Sequence, residues 1–439
     1  MGDDLMKFDD SLRHILIRTK LYTESLLKWA AVSFAIGAAS GAVGSVFHHC
    51  VDTATYLRGA YPWLLWCLPL AGLVIVGLYQ LLNTQGMGTD AVLDAVLDGR
   101  RLKWQLAPSI FLGTVLTHLC GGAAGREGAA LQLGGTIGQG TGRLLRLNEE
   151  DLQIATLAGM SACFSALFGT PLTAALFAVL CVSVGELYHL AMLPCLISAL
   201  TAFWTSQALE VSPTHFTVQV PELTVGVFLR TAVLAALCGL LSIFFCRLIH
   251  GTGHLLAKYL PNPYLRAAAG GGAIIALTLL LGTRTYNGAG MDVIAASLES
   301  GTAPPWAFFW KLLFTAITLG AGYKGGEVVP SFFVGAAFGC AAGPLLGLPA
   351  GFAAALGLTA VFCGATNCLL ASIALSVELF GSDGLLCFAL ACAVSFTLSG
   401  YSGLYDSQRI VFSKLHPRRL EVRANAHGAE EEQEDPQHI

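Results

Sequence analysis

Residues 121–131 read Gly-Gly-Ala-Ala-Gly-Arg-Glu-Gly-Ala-Ala-Leu, a glycine-rich turn that leads directly into an apolar segment typical of a buried helix. Glycine lets the backbone turn its N–H groups toward a ligand. A helix N-terminus adds unpaired donors and the positive end of a dipole, so this arrangement predicts an anion site. Glu127 lies at that site, where its carboxylate could take the place of the anion and protonation could release it. The alternative is an ordinary helix-capping glutamate paired with Arg126.

A second stretch has the same construction. Residues 322–330 read Gly-Tyr-Lys-Gly-Gly-Glu-Val-Val-Pro, with a glutamate at 327 and a proline in the first turn of an apolar helix. Aligning Phe168 with Thr366 brings further glycine and apolar positions of the two halves into register. Paired, interrupted segments in two halves of a membrane protein point to the binding site of a two-repeat transporter. For Glu327, too, an ordinary cap or salt-bridge partner is the alternative.

The composition is that of a membrane protein. Of the 439 residues, 55% are hydrophobic and 12% are charged, whereas a soluble domain carries about 25% charged residues. Several apolar stretches fall short of the about 20 residues that a full span needs. Together with 50 glycines, this indicates broken and re-entrant helices. We therefore expect an all-α polytopic membrane protein. Neither the net charge of −4 nor any basic patch suggests a nucleic-acid partner.

The cysteines and the chain ends add the remaining organisation. Thirteen cysteines lie mostly in apolar runs and lack the spacing of a zinc site, so we expect neither a metal nor another cofactor. Residues 11–28 form a basic amphipathic stretch, which predicts an interfacial helix on the cytoplasmic side. We divide the chain into a cytoplasmic N-terminal segment (1–25), a first membrane repeat (26–210), a second membrane repeat (211–415) and a disordered cytoplasmic tail (416–439).

Two further segments carry candidate ligands. Residues 86–90 read Gly-Met-Gly-Thr-Asp and follow an apolar span. They could open a helix toward the site or form a solvated loop with a capping Thr or Asp. Residues 399–405 follow the last span and end at Tyr405. Its hydroxyl could donate to an anion, or the ring could serve as an interfacial anchor.

These segments resemble the signatures of the CLC family of anion channels and proton-coupled antiporters. Residues 125–128 match its Gly-Arg-Glu-Gly signature, although Ala129 replaces the usual proline. Residues 325–330, Gly-Gly-Glu-Val-Val-Pro, occupy the place of its Gly-x-Phe-x-Pro signature. The Glu-Val variant is similar to the fluoride-selective bacterial branch, as are Gly-Ala-Thr-Asn at 364–367 and Glu-Leu-Phe-Gly at 378–381.

The resemblance implies the CLC fold, with two inverted-topology repeats, and a role for each matching residue. Glu127 would be the gating and proton-coupling glutamate, and Glu327 a second buried carboxylate that switches with protons or anions. Tyr405 would close the inner end of the central site. Met87 would stand where chloride-selective members carry an anion-binding serine. The positions implied to bind the anion are Met87, Gly88, Gly125, Arg126, Gly128, Gly325, Gly326, Val328, Val329 and Tyr405, with Asn367 and Glu378 in supporting structural roles.

Chloride-coupled antiporters keep an internal proton-transfer glutamate near Leu180, and the absence of a carboxylate there in this chain fits the fluoride branch. Two other positions depart from what the resemblance implies. Leu369 stands where a proline is common after the turn at Asn367. The fluoride branch usually carries a threonine at the position of Val329, so a hydroxyl near the second helix start is missing.

The expected function is therefore a fluoride/proton antiporter that exports fluoride. The alternative is a CLC chloride (or nitrate) channel or chloride/proton exchanger. An enzyme is not expected, because no nucleophile–base pair or metal cluster is evident and His118 stands alone in an apolar run. The resemblance also implies a homodimer with one pore per subunit, embedded in the lipid bilayer of the inner (plasma) membrane. Its transported partners would be fluoride, protons and, in the alternative, chloride.

Overall fold

Helices dominate the described part of the chain. The computed structural model describes residues 2–416 and 418–426, with side chains from residue 18 onward, and these residues form sixteen α-helices. The helices are α1 (Gly2–Ala60), α2 (Leu68–Leu81), α3 (Thr89–Leu97), α4 (Leu106–Cys120), α5 (Glu127–Leu144), α6 (Glu149–Phe168), α7 (Pro171–Leu180), α8 (His189–Ala208), α9 (Val225–Tyr259), α10 (Pro263–Leu281), α11 (Met291–Ala295), α12 (Ala307–Gly320), α13 (Val328–Ala342), α14 (Ala350–Thr366), α15 (Leu369–Phe380) and α16 (Leu385–Leu398).

The helix lengths agree with a polytopic membrane protein that uses broken helices. In the described part of the chain, seven helical segments are long and apolar enough to cross a membrane, and six further apolar helices have only 10–17 residues. Glycines in the left-handed region stop several of them, such as Gly121 after α4 (φ +90) and Gly169 after α6 (φ +73). The all-helical, multi-pass prediction is confirmed.

The internal repeat is visible in helix order and in packing. The series α4–α7 is repeated by α12–α15, each with its glycine-rich turn before the second helix. In the first series, α5 crosses α6 so closely that a Cβ on Gly134 would lie 2.1 Å from the Gly159 oxygen. In the second series, a Cβ on Gly335 would lie 2.2 Å from the Gly357 oxygen. Equivalent glycines therefore hold equivalent helix pairs in contact.

The chain ends differ from the sequence prediction. α1 is continuous, so the boundary predicted at residue 25 falls within a helix. A small sheet, with strands β1 (Ser183–Val184), β2 (Arg409–Phe412) and β3 (Arg419–Arg423), ties the end of the chain to the loop after α7.

The third strand corrects the expectation of a disordered tail from residue 416. β3 pairs antiparallel with β2, and Val422 packs beside the buried Ile410. The charges of this segment concealed its alternation of apolar and polar residues. The acidic end of the predicted tail, residues 427–439, lies outside the described residues.

Candidate anion site

The two glycine-rich helix starts meet directly. The Gly125 N–H donates to the Gly326 oxygen at 2.7 Å, and the Gly326 N–H donates to the Gly125 oxygen at 2.8 Å. This antiparallel bridge joins the start of α5 to the start of α13. One helix N-terminus from each repeat thus ends at the same point inside the protein.

Glycine is required at this junction because the two backbones nearly touch. A Cβ on Gly326 would lie 2.3 Å from the Gly128 nitrogen, and a Cβ on Gly128 would lie 2.8 Å from the Gly326 Cα. A Cβ on Gly325, whose φ is +159, would lie 2.4 Å from the Ala124 Cβ. The predicted glycines therefore serve first to bring the two helix starts together.

Glu127 is folded back over the start of its own helix. Its side chain is 1% exposed, and its Oε2 accepts a hydrogen bond from the Arg126 backbone N–H at 3.0 Å. Its Oε1 lies 3.4 Å from Arg126 Nε, and Arg126 Nη1 reaches Asp52 Oδ1 at 2.9 Å. The Arg126 guanidinium is thus engaged by carboxylates. A negative group already occupies the α5 N-terminus, which is where that helix favours an anion.

A cavity leads to Glu127 from the side of the protein where α1 ends. It encloses about 380 Å³ and is lined by Glu127, Val329, Arg58, Arg284 and Asp292, among others. We call it the outer vestibule. Arg58 also donates to the His118 carbonyl at 2.9 Å, and the His118 ring nitrogen Nε2 lies 3.4 Å from the Gly125 oxygen. The helix that precedes Glu127 is therefore braced by polar groups, and His118 serves as a contact between segments.

Glu327 lies at the corresponding place on α13 but is not paired in the same way. Its Oε2 is buried with no hydrogen-bond partner among the described residues. A Cβ on Gly128 would lie 3.0 Å from this oxygen, so the Glu327 carboxylate also approaches the start of α5. Tyr405 is 2% exposed, and its hydroxyl likewise has no partner among these residues. Unpaired buried polar atoms are uncommon and call for a ligand, a proton or water.

The segment of Met87 and Gly88 leads into α3, whose first residues contact both α5 and the segment that carries Tyr405. Gly88 precedes α3, and Asp90 Oδ1 accepts a hydrogen bond from the Ser407 N–H at 2.8 Å, two residues beyond Tyr405. Met87 is partly buried against the main core and offers no donor. Gln132 of α5 donates to Thr89 Oγ1 at 3.2 Å.

Sequence reasoning overlooked Gln132. The signal was available, since Gln132 is a polar residue in an apolar helix, little more than one turn after Glu127. The Gln132 Oε1 atom is buried without a partner among the described residues.

Two further predicted residues, Val328 and Asn367, are buried. Val328 is fully buried. Asn367 takes the left-handed conformation (φ +59), and its Nδ2 donates to the Ser402 oxygen at 3.1 Å and to Gln408 Oε1 at 2.9 Å. It thereby braces the segment that carries Tyr405.

Glu378 lies apart from the two glycine-rich turns. It caps the start of α7, accepting hydrogen bonds from the N–H groups of Leu172 at 2.9 Å and Thr173 at 2.8 Å. Within residues 18–416 and 418–426, no cluster of three or more histidine, cysteine, aspartate or glutamate side chains is arranged to hold a metal ion.

Comparison with known proteins gives consistent matches over most of the chain. The family described as voltage gated chloride channel matches residues 71–400. A chloride/fluoride channel protein of Pseudomonas syringae pv. tomato is 35% identical over 409 residues, covering 91% of this chain and 90% of that protein. An H(+)/Cl(-) exchange transporter ClcA of Vibrio cholerae is 26% identical over 420 residues, covering 88% of each. The crystal structure of a CLC-type fluoride/proton antiporter superposes with a TM-score of 0.84 at 34% identity, covering 88% of this chain and 98% of that one.

Proposed function

The chain belongs to the voltage gated chloride channel (CLC) family, and we propose that it is a fluoride/proton antiporter that exports fluoride. The observation that carries the proposal is the meeting of two helix N-termini at the Gly125–Gly326 bridge, with the Glu127 carboxylate seated on one of them. The names of two relatives, a chloride/fluoride channel protein and a CLC-type fluoride/proton antiporter, support the choice of ion.

Backbone donors suit a small, strongly hydrated anion. Helix N-termini replace water contacts with N–H groups that carry only partial charges. A bare lysine or arginine would add a full charge and hold the ion longer. The Arg126 guanidinium is neutralised by Asp52 and Glu127. Fluoride can therefore be desolvated at the junction without being trapped there.

Proton coupling follows from competition for one place. The ionised Glu127 carboxylate excludes fluoride from the α5 N-terminus. Protonation from the outer vestibule removes its charge, so that fluoride entering from the inner face takes the backbone donors. Fluoride then leaves through the outer vestibule, the carboxylate returns to the backbone donors, and the proton is released toward the inner face. Glu327, whose Oε2 has no partner among the described residues, supplies a second protonation site in a chain that has Leu180 where chloride exchangers carry a glutamate.

Position 87 supports fluoride over chloride. A serine there would add a hydroxyl donor to the site, whereas Met87 adds none. The second candidate is a chloride channel or exchanger of the same fold. It is favoured by Val329, which contributes an apolar side chain where the fluoride branch usually carries a hydroxyl.

We place both termini on the cytoplasmic side of the inner (plasma) membrane. The basic residues Arg18, Lys20 and Lys28 at the start of the first span support this orientation. We also propose a homodimer with one pore in each subunit. Exposed leucines on α8, α15 and α16, such as Leu190, Leu370 and Leu386, offer an apolar face for the partner or for lipid.

Ion efflux from liposomes tests the proposal. The purified chain is reconstituted in vesicles loaded with equal fluoride and chloride, and both ions and the internal pH are recorded after dilution. We expect fluoride efflux accompanied by proton uptake, with chloride much slower. Chloride efflux as fast as that of fluoride would favour the second candidate, and halide efflux without any pH change would show a channel.

A further inference from the structure

A second cavity lies on the opposite face from the outer vestibule. It encloses about 270 Å³ and is lined by Tyr79, Gln80, Gln85, Gly86, Arg266 and Lys324, among others. We call it the Lys324 pocket. Arg58 lines the outer vestibule near the end of the candidate span Arg18–Ala60, whereas Tyr79 and Gln80 line this cavity near the end of the next candidate span, Pro62–Leu81. Consecutive spans end on opposite sides of a membrane. The pocket therefore opens toward the face from which α1 starts.

The charge of this pocket is one-sided. Arg266 and Lys324 both line it, and no aspartate or glutamate does. Among the described residues neither cation has an ion pair within 4.0 Å. The Lys324 ammonium group is attracted by the Glu327 carboxylate and repelled by the Arg266 guanidinium. Arg266 Nε is buried without a hydrogen-bond partner there. Two neighbouring cations on the wall of one cavity, without carboxylates, favour an anion inside it.

The Lys324 side chain is held in position by its surroundings. Its ammonium group lies 4.4 Å from the centre of the Tyr79 ring, within the range of a cation–π contact. Its stem runs past Gly113, where a Cβ would lie 3.0 Å from Lys324 Cγ. The lysine is therefore fixed between α2 and α4.

Tyr79 adds an unused donor to the same wall. The residue is 4% exposed, and its hydroxyl has no partner among the described residues. A buried phenol hydroxyl usually finds a hydrogen bond. A small anion in the pocket would accept this hydrogen bond and offset the two cations at once.

The pocket adjoins both segments of the candidate site. Gly86, on its wall, leads directly to Met87 and Gly88, and Lys324 directly precedes Gly325. We propose that the Lys324 pocket binds a small inorganic anion and collects the transported fluoride on this face before it reaches the Gly125–Gly326 junction. This inference rests on the proposed function for the identity of the ion, while the anion site itself stands on the pocket.

Concentration-dependent fluoride transport tests the collecting role. Lys324→Gln and Arg266→Gln are compared with wild type. Lys324→Arg, which keeps the positive charge, and Lys258→Gln, on an exposed lysine, serve as controls. Lys258 is an exposed lysine near the end of α9, outside the pocket lining. We expect each Gln variant to raise the half-saturating fluoride concentration by about tenfold, as expected for loss of electrostatic focusing. The maximal rate should stay within about twofold of wild type, and Lys324→Arg should recover most of the affinity.

Ionic strength provides a readout that a purely structural role would not move. Added potassium gluconate should raise the half-saturating concentration in wild type, because it screens the pocket charges, and should do so much less in the Gln variants. An unchanged half-saturating concentration in both Gln variants would overturn the proposal. So would a loss of maximal rate with the same half-saturation and the same salt response as wild type.

Failure of the proposed function is distinguishable from failure of the pocket. If wild type carries no fluoride, anion binding is measured by thermal unfolding of the full chain in detergent, at constant ionic strength, with sodium fluoride or sodium phosphate. A ligand that binds the folded state raises its apparent stability. Stabilisation by either anion in wild type and Lys258→Gln, and its loss in Arg266→Gln, would support the pocket. Equal responses in all three proteins, or none in wild type, would contradict it.

Discussion

The two repeats form the same kind of helix start, but the charged side chains beside it are arranged differently. Each has a glycine-rich turn, a glutamate and an apolar helix, and the two turns are hydrogen-bonded to each other. Glu127 is held by the Arg126 backbone and side chain, whereas the Glu327 Oε2 has no partner among the described residues. The difference lies in the basic residue. Arg126 adjoins its glutamate, and Lys324 stands three residues before its own and points into a pocket with Tyr79.

This comparison shows how one backbone scaffold can separate two tasks. The paired Glu127 faces the outer vestibule and can compete with an anion for the α5 N-terminus. The second turn instead places Lys324 on the wall of the Lys324 pocket and carries Glu327, whose Oε2 has no partner among the described residues. The two repeats thus share the hydrogen-bonded glycine-rich turns and differ in the side chains beside them, and we propose that these differences separate the two tasks.

The largest expected effect comes from removing the charge of Glu127 at the start of α5. Glu127→Gln keeps the size of the side chain but cannot exchange a proton, so we expect fluoride-driven proton movement to be abolished. Glu150→Gln, on the exposed first turn of α6, is the matched control. The measurement is internal pH during fluoride efflux from liposomes. Normal coupled exchange in Glu127→Gln would remove Glu127 from the gating role.

The next largest effect is expected from separating the N-termini of α5 and α13. Gly326→Ala would place a methyl group 2.3 Å from the Gly128 nitrogen, so the bridge must open. We expect fluoride transport to fall by at least about tenfold, because a misplacement of about 1 Å in a positioned group can cost about 100-fold. Gly272→Ala, where nothing lies within 4 Å of the added Cβ, should transport normally. Transport rates are compared on protein that elutes as a single species in gel filtration, and equal rates would argue against a functional junction.

A smaller effect is expected at Met87, in the segment that precedes α3. Met87→Ser adds a hydroxyl donor worth about 1 kcal/mol, which corresponds to about a fivefold change. We expect chloride permeation to rise by that factor relative to fluoride. The ratio of chloride to fluoride efflux measures it directly. An unchanged ratio would mean that position 87 does not line the path.

The smallest effect is expected at Glu378, which caps a helix in only one of the two repeats and should contribute to stability alone. Glu378 of α15 caps α7, whereas Leu180, the corresponding residue of α7, cannot cap α15. Glu378→Gln retains one acceptor, so we expect a loss of about 1 kcal/mol in stability, typical of a lost helix cap. The midpoint of thermal unfolding reports this change. Proton coupling should be unaffected, and a coupling defect would assign Glu378 a part in transport.

The parts of the site that depend on a single short segment of sequence could be predicted. The two turns at 121–131 and 322–330, their glutamates and their repeat relation follow from glycine spacing and apolar runs. These features are enough to predict two helix starts. Their contact through the Gly125–Gly326 bridge joins residues from opposite halves of the chain, and spacing alone does not fix which atoms meet.

The features that sequence reasoning missed depend on contacts between distant segments. The Lys324 pocket requires Tyr79, Arg266 and Lys324 to meet, and no local pattern connects them. The strand Arg419–Arg423 was predicted as disordered because its charges were counted without the β2 edge that it pairs with. Gln132 stands out in the sequence as a polar residue in an apolar helix, but its hydrogen bond to Thr89 and its unpartnered Oε1 depend on where the neighbouring segments lie.

We propose that fluoride and the Glu127 carboxylate compete for the same backbone donors. Calorimetric titration of fluoride into the purified full chain, repeated at several pH values around neutrality, measures this competition. We expect fluoride affinity in wild type to weaken as pH rises, by at most about tenfold per pH unit for one linked proton. Glu127→Gln should bind fluoride with an affinity that does not vary with pH. An identical pH dependence in the two proteins would contradict the claim.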